Sequence, residues 1–268
     1  MPEEQKESTG AAPEVQETPT VVVAKTESVQ LTPETYRGES YLVEYGGVLT
    51  LRNGVDPKIV NIYGRVDYVG IDGQMSDIQK TNVSKWRTGV VGFNRCRQKK
   101  LELPNYNTDM DDCNYEEVMF GHVPVERDYL SINHERNYLY LRNGTSIRSL
   151  ETGPTSVLYV NTADELDSEA ALVFINDLVV YGQGELEFSR ISHLTVERTA
   201  NVSIGNTKID ELDVFGTVFI FRVAYTEIGT IRLHPGGRIF GDIEGLNIVG
   251  SNRPIQIMTS GNTIWMFG

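Results

Sequence analysis

The residues that could bind a metal or a cofactor are few in this sequence and lie far apart. Its histidines are His122, His134, His193 and His234. No two of them have the HxH or HxxxH spacing with which imidazoles commonly share a metal ion. Asp109-Met110-Asp111-Asp112 is similar to half of a calcium loop but lacks its glycine and its closing glutamate. No GxSxG, Walker A or nucleotide-binding glycine motif is present. We therefore predict no metal and no cofactor.

Acidic side chains are the one group whose spacing is compatible with a reaction. Glu211 and Asp213 flank Leu212 in a predicted strand, and residues two apart in a strand point to the same face. A pair of carboxylates in an outer groove can cleave a glycosidic bond. Exposed strand faces carry such acids in any case, and the predicted coil is short for a substrate groove. We therefore predict that the protein is not an enzyme.

The two cysteines, Cys96 and Cys113, are too few for a disulfide scaffold or a four-cysteine zinc site. Two reduced, buried thiols are the favoured interpretation, and a disulfide between them stays open.

Composition excludes several classes of protein. The chain has 268 residues, 40% hydrophobic and 23% charged, so it can form a globular core. Its net charge of −13 argues against general binding to nucleic acid or to anionic membranes. No apolar run reaches the eighteen residues that a membrane-spanning helix needs, and no secretory signal opens the chain.

A repeated motif between residues 155 and 268 determines the predicted fold. The pattern Ile-x-x-Leu-x-Val, with conservative changes, begins at Ile175, Ile191, Ile209, Ile228 and Ile243, at intervals of 16, 18, 19 and 15 residues. A second alternating strand lies between the copies, at Leu186-x-Phe188, Val202-x-Ile204 and Val218-x-Ile220. The first Ile has the wrong parity for the same straight strand as the Leu and Val, so a bulge or corner must separate them.

Stacked turns of this length bury like residues above like residues in aliphatic ladders. Frequent glycines interrupt any helical period, and an immunoglobulin-like sandwich would not repeat one odd-parity motif at nearly constant spacing. We predict an all-β protein whose residues 154–268 form a parallel β-solenoid of about six or seven turns of 15–19 residues.

The preceding chain is predicted to have two parts. Residues 1–37 have the composition of an extended, disordered acidic arm, apart from the β-prone run Val21-Val22-Val23, which could add a strand to a partner's sheet. Residues 38–153 are predicted to be a β-rich adaptor domain. Within it the string Leu-Arg-Asn-Gly occurs at Leu51–Gly54 and again at Leu141–Gly144, each time after an alternating strand, which suggests two related turns or hairpins.

A charged segment lies within the predicted adaptor, at residues 80–117. A basic half without acids is followed by an acidic half without bases. The two halves can neutralise each other within the chain, or the segment can be a loop that contacts another protein. The residues assigned to such contacts are Lys85, Trp86, Arg87, Arg95, Arg97, Lys99, Lys100, Asp109, Asp111 and Asp112. Nucleic acid is disfavoured because acids lie next to the bases.

The sequence ends on the apolar run Thr263-Ile264-Trp265-Met266-Phe267. A solenoid must cover its terminal turn, so this run can be a cap. Alternatively, Trp265 and Phe267 contact another copy or another protein.

An N-terminal arm, a β-rich region and a short C-terminal solenoid together resemble the modular structural proteins of tailed phages, such as head fibres, decoration proteins and tail attachment proteins. The resemblance implies a virion protein, assembled in the host cytoplasm. It also implies an oligomer that docks onto capsid, collar or tail proteins through its N-terminal part, with a host-surface glycan as a further possible partner. The turn length is also similar to that of bactofilin-type polymers. The expected function is thus a non-enzymatic structural protein of a phage particle. The alternatives are a tailspike-like protein that binds or cleaves carbohydrate and a self-assembling solenoid polymer.

Overall fold

The fold is that of a computed structural model, which describes residues 19–55, 57–70, 76–77, 89–103, 107–122, 138–161, 172–221, 226–241, 246–249, 255–259 and 262–266. Every secondary-structure element in these ranges is a β-strand. The strands are β1 (Thr20–Val23), β2 (Ser28–Leu31), β3 (Ser40–Val43), β4 (Val48–Arg52), β5 (Ile59–Ile62), β6 (Arg65–Val69), β7 (Ser76–Asp77), β8 (Val90–Asn94), β9 (Cys96–Leu103), β10 (Asn107–Asp111), β11 (Asn114–Phe120), β12 (Tyr138–Arg142), β13 (Ser146–Thr152), β14 (Val157–Val160), β15 (Val173–Val180), β16 (Gln183–Leu186), β17 (Ser189–Val196), β18 (Asn201–Gly205), β19 (Lys208–Val214), β20 (Thr217–Phe221), β21 (Glu227–Leu233), β22 (Arg238–Gly241), β23 (Ile248–Val249), β24 (Ile255–Thr259) and β25 (Asn262–Met266).

The chain alternates between two sides of a coil. The even-numbered strands from β2 to β24, with β25 at the end, form one 13-stranded sheet, which we call the even sheet. The odd-numbered strands form a three-stranded sheet (β1, β3, β5) and a nine-stranded sheet (β7 to β23). One odd strand and the even strand after it make one turn, and each strand pairs in parallel with its counterparts in neighbouring turns. The predicted all-β parallel solenoid is confirmed.

The repeated motif forms the core as expected. Ile175, Ile191, Ile209 and Ile228 lie in register on successive odd strands, and the Leu and Val positions of the motif form two further ladders. The parity change is accommodated within each odd strand, where two consecutive residues face outward between the buried Ile and the buried Leu. Each ladder therefore runs through the interior without a gap in these turns.

Two details of the predicted repeat are wrong. In the fifth copy Ile248, not Leu246, pairs with Ile231, so that copy is displaced by two residues. In β16 the buried positions are Gly184 and Leu186, because these pair with Val202 and Ile204 of β18. Phe188 lies beyond the strand, at a corner with φ +42°.

The corner after an even strand is made by a residue in the left-handed region. In the successive turns from β8 to β18 this place is occupied by residues with φ between +42° and +52°, where the chain must bend sharply, namely Arg95, Asp112, Asn143, Asn161, Phe188 and Asn206. The two Leu-Arg-Asn-Gly strings form equivalent corners here. In both, the nitrogen of the residue after the glycine bonds to the arginine carbonyl, at 3.2 Å.

The opposite corner brings the backbones of consecutive turns together. A Cβ atom added at Gly182 would lie closer than 3.0 Å to the carbonyl oxygens of Ser156 and Gly153. One added at Gly216 would meet the carbonyl oxygens of Glu197 and Ala200. Glycine is required at these positions by close backbone approach.

A buried ladder of thiols and hydroxyls follows five of the left-handed corners, those at Arg95, Asp112, Asn143, Phe188 and Asn206. Its members are Cys96, Cys113, Thr145, Ser189 and Thr207. The thiol of Cys113 donates to the carbonyls of Phe93 and Asp111, both at 3.3 Å. The hydroxyl of Thr207 donates to those of Gly205 and Leu186 at 2.8 and 3.2 Å. Four of the five side chains thus bond carbonyls at a corner that regular sheet pairing does not cover, and the Ser189 hydroxyl bonds that of Thr207.

The solenoid begins well before residue 154. Across the expected boundary at 153/154, β12 pairs with β14 and β13 pairs with β15 in the same two sheets as the rest. Residues 38–153 therefore form turns of the same coil where they are described. Part of the predicted arm does so too, because β1 pairs in parallel with β3 of its own chain. Residues 1–18 of the arm lie outside the described part.

Candidate functional site

A column of outward-facing residues runs along the middle of the even sheet. The strand register places the following residues next to one another in successive turns: Asp67, Gly92, Asp109, Tyr140, Tyr159, Glu185, Ser203, Phe219 and Phe240. We call this set the outer column. Neighbours in it are about 4.8 Å apart, the separation of paired strands.

The outer column carries two stacked aromatic pairs. The rings of Tyr140 and Tyr159 lie 4.6 Å apart between centroids and 17° from parallel. Those of Phe219 and Phe240 lie 5.1 Å apart and 18° from parallel. The Tyr140 ring also receives the guanidinium of Arg142 at 4.8 Å from its centroid. Two aromatic blocks therefore project from one face, separated by the turns of β16 and β18.

A groove of about 200 Å³ lies between the two aromatic blocks. Tyr159 and Phe219 stand at its two ends, and its floor is built from β16 and β18. Most of the floor side chains are polar, namely Gln183, Glu185, Asn201 and Ser203. Sequence reasoning missed this site. The signal for it was an aromatic at the same place in four even strands, visible only once those strands are aligned.

The N-terminal half of the outer column is charged and crosslinked. Arg65 donates to Asp67 at 2.8 Å and to Asp109, two turns away, at 2.9 Å. Gly92 lies between the two acids, and a Cβ there would collide with the Asp67 carboxylate, so its missing side chain makes room for the bridge. Burial raises the pKa of Asp67, and the nearby Arg65 guanidinium opposes this shift only in part.

The charged segment is part of the coil and not a single loop. Its described residues belong largely to β8, β9, β10 and β11. The acids of the expected contact pair within the chain. Asp109 binds Arg65, Asp111 accepts from Asn94 at 3.1 Å, and Asp112 lies 3.5 Å from Arg95.

The basic half is also partly neutralised in this way. Lys100 lies 3.0 Å from Glu102 and 3.2 Å from Glu117, and hydrogen bonds to these two acids raise its pKa. Arg97 and Lys99 are exposed on β9. These contacts agree with the interpretation that the basic and acidic halves of the charged segment neutralise each other within the chain. A contact between this segment and another protein stays a prediction. Lys85, Trp86 and Arg87 lie outside the described residues.

The two predicted terminal contact sites have different outcomes. In β1, Val21 and Val22 are 37% and 48% exposed, whereas Val23 is fully buried in the core. Only the first two can therefore contact a partner. At the other end, Trp265 lies on β25, which pairs antiparallel with β24. Phe267 is outside the described residues.

The acid pair Glu211 and Asp213 does share one outer face, as predicted, but each carboxylate is already bound. Arg232 donates to Glu211 at 2.8 Å and to Asp213 at 3.3 Å. Both oxygens of Asp213 lie next to an imidazole nitrogen, that of His193 at 2.7 Å and that of His234 at 2.6 Å. The arrangement ties three turns together.

Burial acts to raise the pKa of Asp213, but the hydrogen bonds from His234 and His193, with the charge of Arg232, lower it overall. The same arginine lowers the pKa of Glu211. Both acids are thereby held in the ionised form. This is the opposite of what a proton-donating catalytic acid needs.

The two cysteines are free and fully buried, one above the other in the corner ladder. The hydrogen bond to Cys113 and burial both raise the pKa of Cys96. Burial likewise raises the pKa of the neighbouring Tyr115 phenol. These shifts keep both groups protonated and make the Cys96 thiol a poor nucleophile.

Comparisons with known protein families, with curated proteins and with solved structures found no match. In the described part of the chain, no three His, Cys, Asp or Glu side chains are grouped closely enough to hold a metal ion. None of the described segments forms a helix of the length and apolarity that crossing a bilayer requires.

Proposed function

We propose that this protein is a non-enzymatic structural component of a phage particle, a β-solenoid scaffold that is anchored near its N-terminal end and displays its outer faces. The observation that supports a scaffold is the continuous pairing of the even sheet from β2 to β24. Each turn is bonded to the turns on both sides, so the outward-facing residues are held at fixed separations along the coil. The phage setting comes only from the resemblance that the sequence suggested, and the structure replaces the separate β-rich domain of that resemblance with further turns of the coil.

The anchor is placed at β1 because it is the outermost strand of the three-stranded odd sheet. One of its edges pairs with β3, and Val21 and Val22 expose apolar surface there. An edge strand with exposed β-branched residues is suited to receive a strand or an apolar surface from a neighbouring protein.

Quantitative mass spectrometry on purified particles tests the proposal. We expect the protein in the particle, either in hundreds of copies, as for a capsid decoration, or in a small multiple of three or six, as for collar, tail or baseplate. Absence from particles would refute the virion role.

The anchor is tested separately by Val21→Thr with Val22→Thr, which keeps β propensity and removes apolar surface. The double variant should be incorporated poorly, whereas the control Phe174→Thr, at a 40% exposed position on β15, should be incorporated normally. Equal incorporation of both would place the anchor elsewhere.

A self-assembling polymer is the second candidate, and the C-terminal hairpin distinguishes it from the first. Because β25 pairs antiparallel with β24, it covers the edge on which a further parallel turn would stack. As a cap, β25 should keep the protein from associating, and deletion of residues 262–268 should produce concentration-dependent association in sedimentation velocity. In a polymer that assembles through this end, the same deletion would abolish filaments.

A further inference from the structure

We propose that the groove between Tyr159 and Phe219 is a carbohydrate-binding site that takes two linked sugar units, one against each aromatic wall. This inference goes beyond the structural role and does not depend on it. Three properties of the groove support it, namely the direction in which the walls face, their separation and the chemistry of the floor.

The free faces of the two wall rings look toward each other. The separation of each aromatic pair, 4.6 Å for Tyr140–Tyr159 and 5.1 Å for Phe219–Phe240, is close to the spacing of turns. The ring planes therefore lie across the solenoid axis and not along it. One face of Tyr159 is covered by Tyr140 and one face of Phe219 by Phe240. The remaining faces look into the two turns that lie between them.

The separation of the walls fits two sugar rings and not one. Tyr159 and Phe219 are three strand spacings apart, which is about 14 Å. We consider one pyranose ring stacked on each wall, with its C–H face about 4 Å from the aromatic ring. The planes of these two sugars are then roughly 6 Å apart. A single ring of this thickness cannot touch both walls. Two linked units can when their linkage lets one ring fold over the other, as in 1→6-linked disaccharides.

The floor has the hydrogen-bonding groups that sugar hydroxyls need. Asn201 offers an amide donor and acceptor, Ser203 a hydroxyl, and Glu185 a carboxylate that accepts from two hydroxyls. Within the part of the chain that the structure describes, the Glu185 carboxylate has no hydrogen bond or ion pair. A sugar has apolar C–H faces and a polar rim, so it satisfies walls and floor together.

Other classes of ligand fit this groove less well. A purely apolar ligand would strip water from the floor without replacing its hydrogen bonds. A nucleic acid would place phosphates near Glu185 on a chain of net charge −13. The walls also need little ordering on binding, because each ring is backed by a second ring on a paired strand.

The test uses the full-length protein and a glycan array that carries bacterial surface oligosaccharides together with the 1→6-linked disaccharides isomaltose and gentiobiose, whose rings can fold together, and the extended cellobiose. The best disaccharide on the array is then titrated by calorimetry beside its own monosaccharides. We expect the disaccharide to bind at least roughly tenfold more tightly than either monosaccharide, because only the disaccharide reaches both walls.

Tyr159→Ala and Phe219→Ala should each weaken disaccharide binding at least roughly tenfold. The matched control is Phe221→Ala. Phe221 lies on the same strand as Phe219 and is more exposed, 57% against 38%, but it does not line the groove. This control should leave the affinity unchanged within about twofold, as expected for a residue outside the contact.

The array and the variants can each overturn the proposal. No binding to any glycan on the array, or binding that survives both wall substitutions, would refute it. Loss of binding in Glu185→Gln with normal binding in Tyr159→Ala would indicate a ligand held by charge and would refute it as well. If a wall variant does not fold, nuclear Overhauser effects between bound sugar and the rings of the unaltered protein decide the matter.

Discussion

The buried hydroxyl of Thr207 gives the sharpest test of how the corners are stabilised. Its oxygen lies 2.8 Å from the Gly205 carbonyl, 3.2 Å from the Leu186 carbonyl of the preceding turn and 3.2 Å from the hydroxyl of Ser189. The side chain is fully buried. Thr207→Val keeps the shape and volume, so no cavity forms and only the hydrogen bonds are lost.

The expected cost follows from what the deleted hydroxyl leaves behind. A hydrogen bond contributes about 1 kcal/mol net, and a buried polar group left without its partner costs about 1–3 kcal/mol. At Thr207 at least one carbonyl and the Ser189 hydroxyl lose a partner. We therefore expect the free energy of unfolding to fall by about 2 kcal/mol.

Urea unfolding followed by circular dichroism measures this change. The control is Thr195→Val, which removes a half-buried, outward-facing hydroxyl from β17 and should change stability by no more than about 0.5 kcal/mol. A double-mutant cycle with Ser189→Ala should give a coupling of about 0.5 kcal/mol or more, because the two hydroxyls are in contact. If Thr207→Val costs no more than Thr195→Val, the reasoning about the corner ladder is wrong.

Further predictions concern the close backbone approach, the carboxylate that binds two histidines, and the thiols. Gly216→Ala should destabilise the protein by about 2 kcal/mol or more in urea unfolding, whereas Gly184→Ala, whose added Cβ would meet only side-chain atoms at 3.4 Å, should cost less than about 1 kcal/mol. Because the folded-state pKa of Asp213 is lowered, its ionised form stabilises the fold above its unfolded pKa of about 3.9. The stability advantage of the unaltered protein over Asp213→Asn should therefore shrink as the pH falls through the folded pKa, and a constant difference from pH 6 to pH 2.5 would contradict this. Cys96 and Cys113, buried and with the Cys96 pKa raised, should not react with a thiol reagent at pH 8 until urea unfolds the chain, when two thiols should appear.

The sequence predicted the solenoid because its ladders are made of the residues with the clearest pattern. Ile191, Leu194 and Val196 recur at nearly constant spacing, and their outward neighbours are polar. The earlier turns were not recognised as part of the coil because their buried positions are filled by mixed residues, such as Tyr115 and Met110. A ladder requires only that each member fit the one above it, so identical residues are not needed.

Glycine was the second source of error. Gly184 fills a buried position where the neighbouring turns have Leu158 and Val202, so the apolar pattern predicts a strand that is shifted by two residues, to Leu186 and Phe188. The aromatic groove was missed for a related reason. It depends on which residues of different turns lie side by side, and that register is determined by corner geometry, which a periodic pattern does not report.

In-register pairing also converts the number of turns into a length. Each turn advances the coil by about 4.8 Å, and inserting or removing a whole turn leaves the packing inside the others unchanged. Duplication of one turn between β1 and β14 would therefore move the Tyr159 ring that much farther from the N-terminal strand without altering the groove itself. The chain is in this sense a molecular ruler, whose graduation can be changed by copying or losing a segment of fewer than twenty residues.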